Sequence, residues 1–182
     1  VLQRVRALFN RKVSLLWAIA GILAVMIVAW GFISSSLIMK LPRYPLDFNP
    51  RSFGYEFESF KIYSRDGTEL NGWLVPARRK TDRTIVALHG WGANRSVALA
   101  ATVFLAEQFN LVYFDFRNHG ESGGNKTSLT CLEIRDFESV ISWLKTEKSA
   151  TCVSLGVYGF SMGGAVAISG AAKVKDIRAV VA

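Results

Sequence analysis

A serine stands at the tip of Gly159-Phe160-Ser161-Met162-Gly163. Before it runs a short apolar, β-prone stretch, Val153 to Tyr158. After it comes a small-residue stretch, Ala165 to Lys173, that reads as helix. A serine hydroxyl is a weak nucleophile, and it works only when held out toward a base and a substrate carbonyl. A tight strand-to-helix turn holds it so, by forcing Ser161 into a strained backbone conformation. Gly159 and Gly163 then leave room for the strand and helix to approach each other. The helix start leaves backbone N–H groups without intrahelical acceptors, so the Met162 N–H is a candidate oxyanion donor.

Two further stretches have the composition of a site. His89-Gly90-Trp91-Gly92 follows the continuous apolar run Thr84 to Leu88. Asp115-Phe116-Arg117-Asn118-His119-Gly120-Glu121-Ser122 follows Leu111 to Phe114. Both runs have the composition of buried parallel strands, apolar on both faces. His89, Asp115 and Ser161 each fall at a strand's C-terminal end, where open α/β sheets bind ligands.

The elements that must position these residues follow in order. Tyr55 to Tyr63 and Leu70 to Val75 flank an Asp66-Gly67 turn and read as a β-hairpin. Val97 to Phe109 is helix-like, with Val97, Ala101, Phe104 and Leu105 on one stripe. Thr130-Cys131-Leu132-Glu133 has the capping-box form, and the helix it opens carries Phe137, Val140, Ile141 and Leu144 at helical spacing. Ile177 to Val181 begins another strand. Hairpin, then alternating strands and helices, predicts an α/β fold: a doubly wound, mostly parallel sheet with a leading antiparallel hairpin and helices on both faces.

The chain has 182 residues, a net charge of +8 and a hydrophobic fraction of 51%. The apolar excess lies toward the N-terminus. From Val13 to Met39 there is no charged residue, and Trp17 and Trp30 lie toward the ends of the apolar core. About 20 such residues cross a bilayer as a helix, and indoles favour its interfaces. The segments read as a basic N-terminus (1–12), a transmembrane anchor (13–39), a proline-containing linker (40–52) and a globular domain (53–182). A cleaved signal peptide has a shorter apolar part and a small-residue cleavage site, for which Ser34-Ser35-Ser36 is a weak match, so the anchor is favoured. Arg4, Arg6, Arg11 and Lys12 precede the block and place the N-terminus in the cytoplasm, with the domain on the outer face. Lys40, Arg43 and Arg51 weaken that bias without reversing it. All 14 acids lie after the block against 18 Lys and Arg, leaving only +4 there. No basic stripe with interleaved aromatics points to nucleic acid. Cys131 and Cys152 flank a helix of about 18 residues, roughly 27 Å long, too far apart to pair.

Taken together, in this order and spacing, the three strand-end motifs resemble the α/β-hydrolase superfamily over roughly Phe53 to Ala182. The resemblance implies membrane-anchored esterase- or peptidase-like character with no cofactor and no metal. It makes Ser161 the nucleophile and gives the oxyanion to the backbone N–H groups of Trp91 and Met162. His89, Gly90, Asp115, Gly159 and Gly163 then support the motifs. Asn118 departs from the family's glycine in the turn after Asp115, a place where asparagine tolerates a left-handed backbone. The family places its acid and its histidine after later strands. His89 and His119 both lie upstream, in turns. The chain therefore reads as the N-terminal portion of a longer protein, its sheet incomplete at the C-terminus. Two functions follow: a serine hydrolase cleaving an ester, thioester or amide, its acid and base lying beyond residue 182, or a non-catalytic, membrane-tethered binding or scaffold protein, in which class a truncated product would fall.

Overall fold

A computed structural model describes residues 2–40 and 42–182; the side chains of residues 2–10, those of Arg4 and Arg6 among them, and Leu41 lie outside what it describes. The chain divides into two units, residues 1–38 and 39–182.

The first unit is one helix, α1 (Leu2–Met39). From Arg11 to Met39 it is long and apolar enough to cross a membrane, and none of its apolar window is buried. At 1.5 Å per residue those 29 residues extend about 43 Å, more than the roughly 30 Å of a bilayer's hydrocarbon core.

The second unit is built on a six-stranded sheet. Its strands are β1 (Glu58–Tyr63), β2 (Glu69–Val75), β3 (Arg83–Leu88), β4 (Asn110–Phe114), β5 (Ser154–Gly159) and β6 (Ile177–Val181). Their spatial order is β1-β2-β4-β3-β5-β6. β2 pairs antiparallel with both β1 and β4, and all other pairs are parallel. The helices are α2 (Arg95–Thr102), α3 (Cys131–Glu147) and α4 (Met162–Ala171).

The period-2 alternation of the strands sorts their side chains into two apolar layers. Leu74, Val86, Val112 and Val157 pack against Phe137 and Leu144 of α3 and Val166 of α4. Trp73, Ala87 and Tyr113 face the other way, onto Ala98 and Leu99 of α2. Both faces of β3 and β4 are thus covered, as their unbroken apolar composition requires, whereas the edge strand β6 is largely exposed.

Three local features differ from the sequence expectation. The helical stretch from Val97 ends as α-helix at Thr102 and continues as a 3₁₀ turn over Val103–Glu107. There the buried Thr102 hydroxyl bonds back to the Ala98 carbonyl at 2.7 Å, a competitor for the helix's own bonding. The Thr130–Glu133 capping box does not form: Thr130 makes no side-chain cap. Instead the Ser128 hydroxyl accepts the Leu132 N–H at 2.7 Å, and the buried Glu133 carboxylate accepts from Thr127 Oγ1, Ser128 N–H and Ser128 Oγ. The proline-containing stretch is extended but docked, and the compact unit starts at Met39. The Asn94 amide donates to the Tyr44 and Pro45 carbonyls at 3.3 and 2.9 Å, and the Met39 carbonyl accepts the Thr127 N–H at 2.8 Å.

A buried ion pair ties the hairpin turn to α3. Arg117 donates to both Asp136 oxygens at 2.6 and 2.9 Å and to Asp66 at 2.8 Å, with Arg117 and Asp136 shielded from solvent. Truncating one partner strands a buried charge, which typically costs 3–5 kcal/mol, whereas removing both is far milder. Arg117→Met is therefore expected to lower stability by about 3 kcal/mol or more. Arg117→Met with Asp136→Leu should recover most of it in urea unfolding; equal losses in the two variants would contradict the pairing.

Candidate active site

Ser161 sits between β5 and α4, at φ 54° and ψ −116°, with its residue exposed. Positive φ is uncommon outside glycine and costs of order 1–3 kcal/mol. Its surroundings impose it. A Cβ on Gly159 would strike the Gly163 backbone, and one on Gly163 would lie 2.5 Å from the Leu88 carbonyl oxygen and 2.6 Å from that of His89. β5 and α4 therefore meet at backbone contact distance, and Ser161 takes the sharp turn between them. Its hydroxyl makes no hydrogen bond among the described residues and is presented to solvent. Met162 opens α4, so its N–H lies in the first turn, which has no intrahelical acceptors.

The loop after β3 lies directly against this turn. A Cβ on Gly90 would be 3.3 Å from Phe160 Cδ1 and 3.4 Å from Ser161 Cβ. Trp91 follows Gly90 and is 41% exposed. The structure thus brings Gly90, Trp91, Ser161 and Met162 together. Beside them an apolar cavity of about 280 Å³ opens, lined by Leu88, Val97, Ala101, Tyr158 and Phe160 among others.

His89 and Asp115 are placed elsewhere in function. His89 is buried, and its Nε2 accepts the Phe116 N–H at 3.0 Å; the proton therefore sits on Nδ1 and is donated to the Gly90 carbonyl at 2.7 Å. Likewise His119 Nε2 accepts the Gly92 N–H at 3.2 Å, and Nδ1 donates to the Arg117 carbonyl at 2.8 Å. With both nitrogens committed, neither imidazole can take a proton from Ser161. They fix the two loops to each other, their rings 5.1 Å apart. Burial, aided by neighbouring His119, lowers the His89 pKa to about 3; burial also lowers that of His119.

Asp115 is fully buried. One oxygen accepts the Arg95 N–H at the start of α2 at 2.7 Å. The other accepts Arg95 Nη1 at 2.6 Å and the Glu121 N–H at 2.9 Å. Burial pushes its carboxyl above the usual range, against the pull of Arg95. Arg95 also stacks 4.3 Å from the Trp73 ring centroid and pairs with Glu121. Sequence reasoning passed over Arg95, which is buried here. The usable signal for Arg95 was Asn94, whose side chain caps α2 and marks the next residue as facing the loop cluster. Asn118 adopts φ 61°, the left-handed backbone expected of it. Cys131 opens α3 and Cys152 lies past its far end, both as free thiols.

A family model described as X-Pro dipeptidyl-peptidase (S15 family) matches residues 55–182. The chain belongs to this family. Its fold is that of the α/β-hydrolase superfamily. The esterase of Pyrococcus furiosus superposes with a TM-score of 0.73 at 33% identity, over 78% of this chain and 56% of the esterase. The uncharacterized protein YfhR of Escherichia coli K12 is 27% identical over 164 residues, 82% of this chain and 57% of the relative. Protein bem46 of Schizosaccharomyces pombe is 27% identical over 85% of this chain and 54% of its own length. The chain thus spans about half the length of the curated relatives it matches.

The buried imidazole of His89 makes stability in this family member pH-dependent. Unfolded, His89 takes up a proton near pH 6.5; folded, it does so only near 3. Between these values the unfolded state binds more protons, so stability falls as pH falls through this window. The His89 contribution lost by pH 3 is roughly 4 kcal/mol. Urea midpoints measured from pH 7 to 4 should fall more steeply for wild type than for His89→Gln, and parallel slopes would contradict this assignment.

Proposed function

We propose that the protein is a serine hydrolase that cleaves an ester, thioester or amide through Ser161. The observation that carries this reading is the strained, exposed serine at φ 54°, wedged between Gly159 and Gly163 beside the Gly90–Trp91 loop. In this mechanism Ser161 Oγ attacks the carbonyl carbon while a base takes its proton. The carbonyl oxygen, now anionic, is held by the backbone N–H groups of Trp91 and Met162, donors aimed where charge develops. The leaving group departs with a proton, and water then releases the acyl group. The acid and histidine of the triad come, on this reading, from the length of the relatives that this chain does not span. The Ser, acid, His order of the superfamily supports that placement, as does the commitment of both His89 and His119 to backbone groups. The test is labelling of full-length protein with a fluorophosphonate probe and peptide mapping of the adduct. Modification at Ser161 is expected; a protein that takes no label at any serine would rule the mechanism out.

The apolar helix, residues 13–39 of the anchor segment, is proposed to hold the protein in a membrane as a single pass, N-terminus cytoplasmic and globular domain (53–182) outside. The basic residues Arg11 and Lys12 before the span and the absence of acids there support that orientation. A reporter active only in the cytoplasm, fused after Pro50, should be silent; activity would reverse the orientation.

The alternative is a membrane-tethered binding or scaffold protein on the same fold. Its support is that the two histidines described cannot act as base. A histidine within reach of Ser161 in the full-length protein excludes it.

A further inference from the structure

We infer that the strand-end face carrying Ser161 works against a lipid bilayer, and that its acyl substrate is a membrane-resident lipid ester. This rests on the two readings above, the helix as anchor and Ser161 as nucleophile.

The first observation is where the chain enters the globular unit. Met39, the last residue of the apolar stretch, belongs to that unit, and its carbonyl accepts the Thr127 N–H at 2.8 Å. Thr127 Oγ1 in turn lies 3.9 Å from Met162 Sδ, and Met162 follows Ser161. Two contacts therefore join the end of the apolar stretch to the neighbour of the candidate nucleophile. Chain continuity then places the C-terminal end of the apolar stretch at the loop after β4. The residues after that stretch are docked on the same unit: Arg43 bonds the Gly124 carbonyl, and Asn94 holds Tyr44 and Pro45.

The second observation is the rim of the same face. Trp91, Leu129 and Phe160 follow the C-terminal ends of β3, β4 and β5 and are 41%, 40% and 65% exposed. Leu129 holds that position at φ 67°, in the left-handed region. Three large apolar groups facing water around one site mark a surface that meets another apolar phase. Lys126 on the loop after β4, with Lys40 and Arg43 of the docked linker, is exposed and suits anionic headgroups. The apolar cavity beside Gly90 and Phe160 suits an acyl chain. In the reaction Ser161 Oγ bonds to the ester carbonyl carbon, and the lipid alcohol leaves with the serine's proton. Water then adds to the acyl-serine, releasing the fatty acid and restoring the hydroxyl.

The exposed Cys131, two residues past Leu129, provides a probe site, while Cys152 is buried. Full-length protein is reconstituted into phosphatidylcholine–phosphatidylglycerol vesicles with an environment-sensitive fluorophore on Cys131. A control carries it on Arg79→Cys in a Cys131→Ser background; Arg79 lies in the loop before β3, at the N-terminal end of the parallel strands, opposite the strand ends that carry Ser161. Lipids carrying a nitroxide on the upper acyl chain should quench the Cys131 fluorophore at least about threefold more than the control. Equal quenching overturns the bilayer-facing placement. The substrate class is read separately. Leu129→Asn, which tolerates positive φ, should lower the ratio of bilayer-embedded to dissolved short-chain ester turnover about fivefold. An unchanged ratio, or turnover of the dissolved ester alone by wild type, overturns the lipid-ester assignment. Protein that fails to float with the vesicles sinks the anchor reading and this inference with it. Absence of fluorophosphonate labelling at Ser161 removes the substrate assignment, while the quenching contrast still decides which face meets the bilayer.

Discussion

Full-length protein carrying Ser161→Ala is expected to hydrolyse a reactive ester at least about 10⁴-fold more slowly than wild type and to take no fluorophosphonate label. Loss of the nucleophile removes the covalent route altogether, and what remains is the electrostatic pull of two amides on a carbonyl attacked by water. Folding should hardly change. The Ser161 hydroxyl has no hydrogen bond among the described residues to lose, and alanine suffers the same strain at φ 54°. Ser161→Gly is expected to be equally inactive and more stable by about 1 kcal/mol, because glycine occupies positive φ freely. Steady-state hydrolysis alongside thermal unfolding of the three proteins separates the outcomes. Activity retained in both variants would mean that another residue is the nucleophile; a Ser161→Gly protein less stable than wild type would mean that the turn carries no strain.

Gly163→Ala is expected to cost about 3 kcal/mol or more, above the usual range for overpacking. The added methyl would lie 2.5 and 2.6 Å from the carbonyl oxygens of Leu88 and His89. Those are backbone atoms of a central strand, paired with β5 through Leu88 and Gly159, so no side chain can swing aside. Relief requires α4 to lift from β3, which also carries Met162 away from Gly90 and Trp91. Activity should therefore fall with stability. Gly156→Ala is the control: its new methyl would meet an Ile85 side-chain carbon at 3.5 Å, an ordinary contact. Urea midpoints decide the matter. A Gly163→Ala protein as stable as Gly156→Ala would show that strand and helix do not pack this closely.

Much of this architecture is legible in local patterns. The apolar runs Thr84–Leu88 and Leu111–Phe114 could satisfy their composition only as strands buried on two faces. Asp66-Gly67 requires a turn, and a serine between Gly159 and Gly163 after a strand leaves few geometries open. Twenty-seven residues without a charge, Val13 to Met39, can lie comfortably only in an apolar surround. These are properties of neighbours in sequence, and short-range sterics and hydropathy suffice to read them.

Only the tertiary structure decided how the polar residues were spent. Arg95 and Asp115 are 20 residues apart, Arg117 and Asp136 19, and each pair is stable in the interior only because the fold delivers its partner there. Glu133 has the spacing of a helix cap, yet it is drawn back to the Thr127–Ser128 loop, where three donors converge on a desolvated carboxylate. His89 and His119 have the composition of catalytic bases until the amides of Phe116 and Gly92 claim their Nε2 atoms. The prolines of the linker forbid regular structure but say nothing of where its carbonyls bond, and Asn94 supplies that answer from fifty residues away. A residue's type and spacing state what it can do. Burial decides what it must do, because a polar group removed from water has to find its partner wherever the chain has placed one.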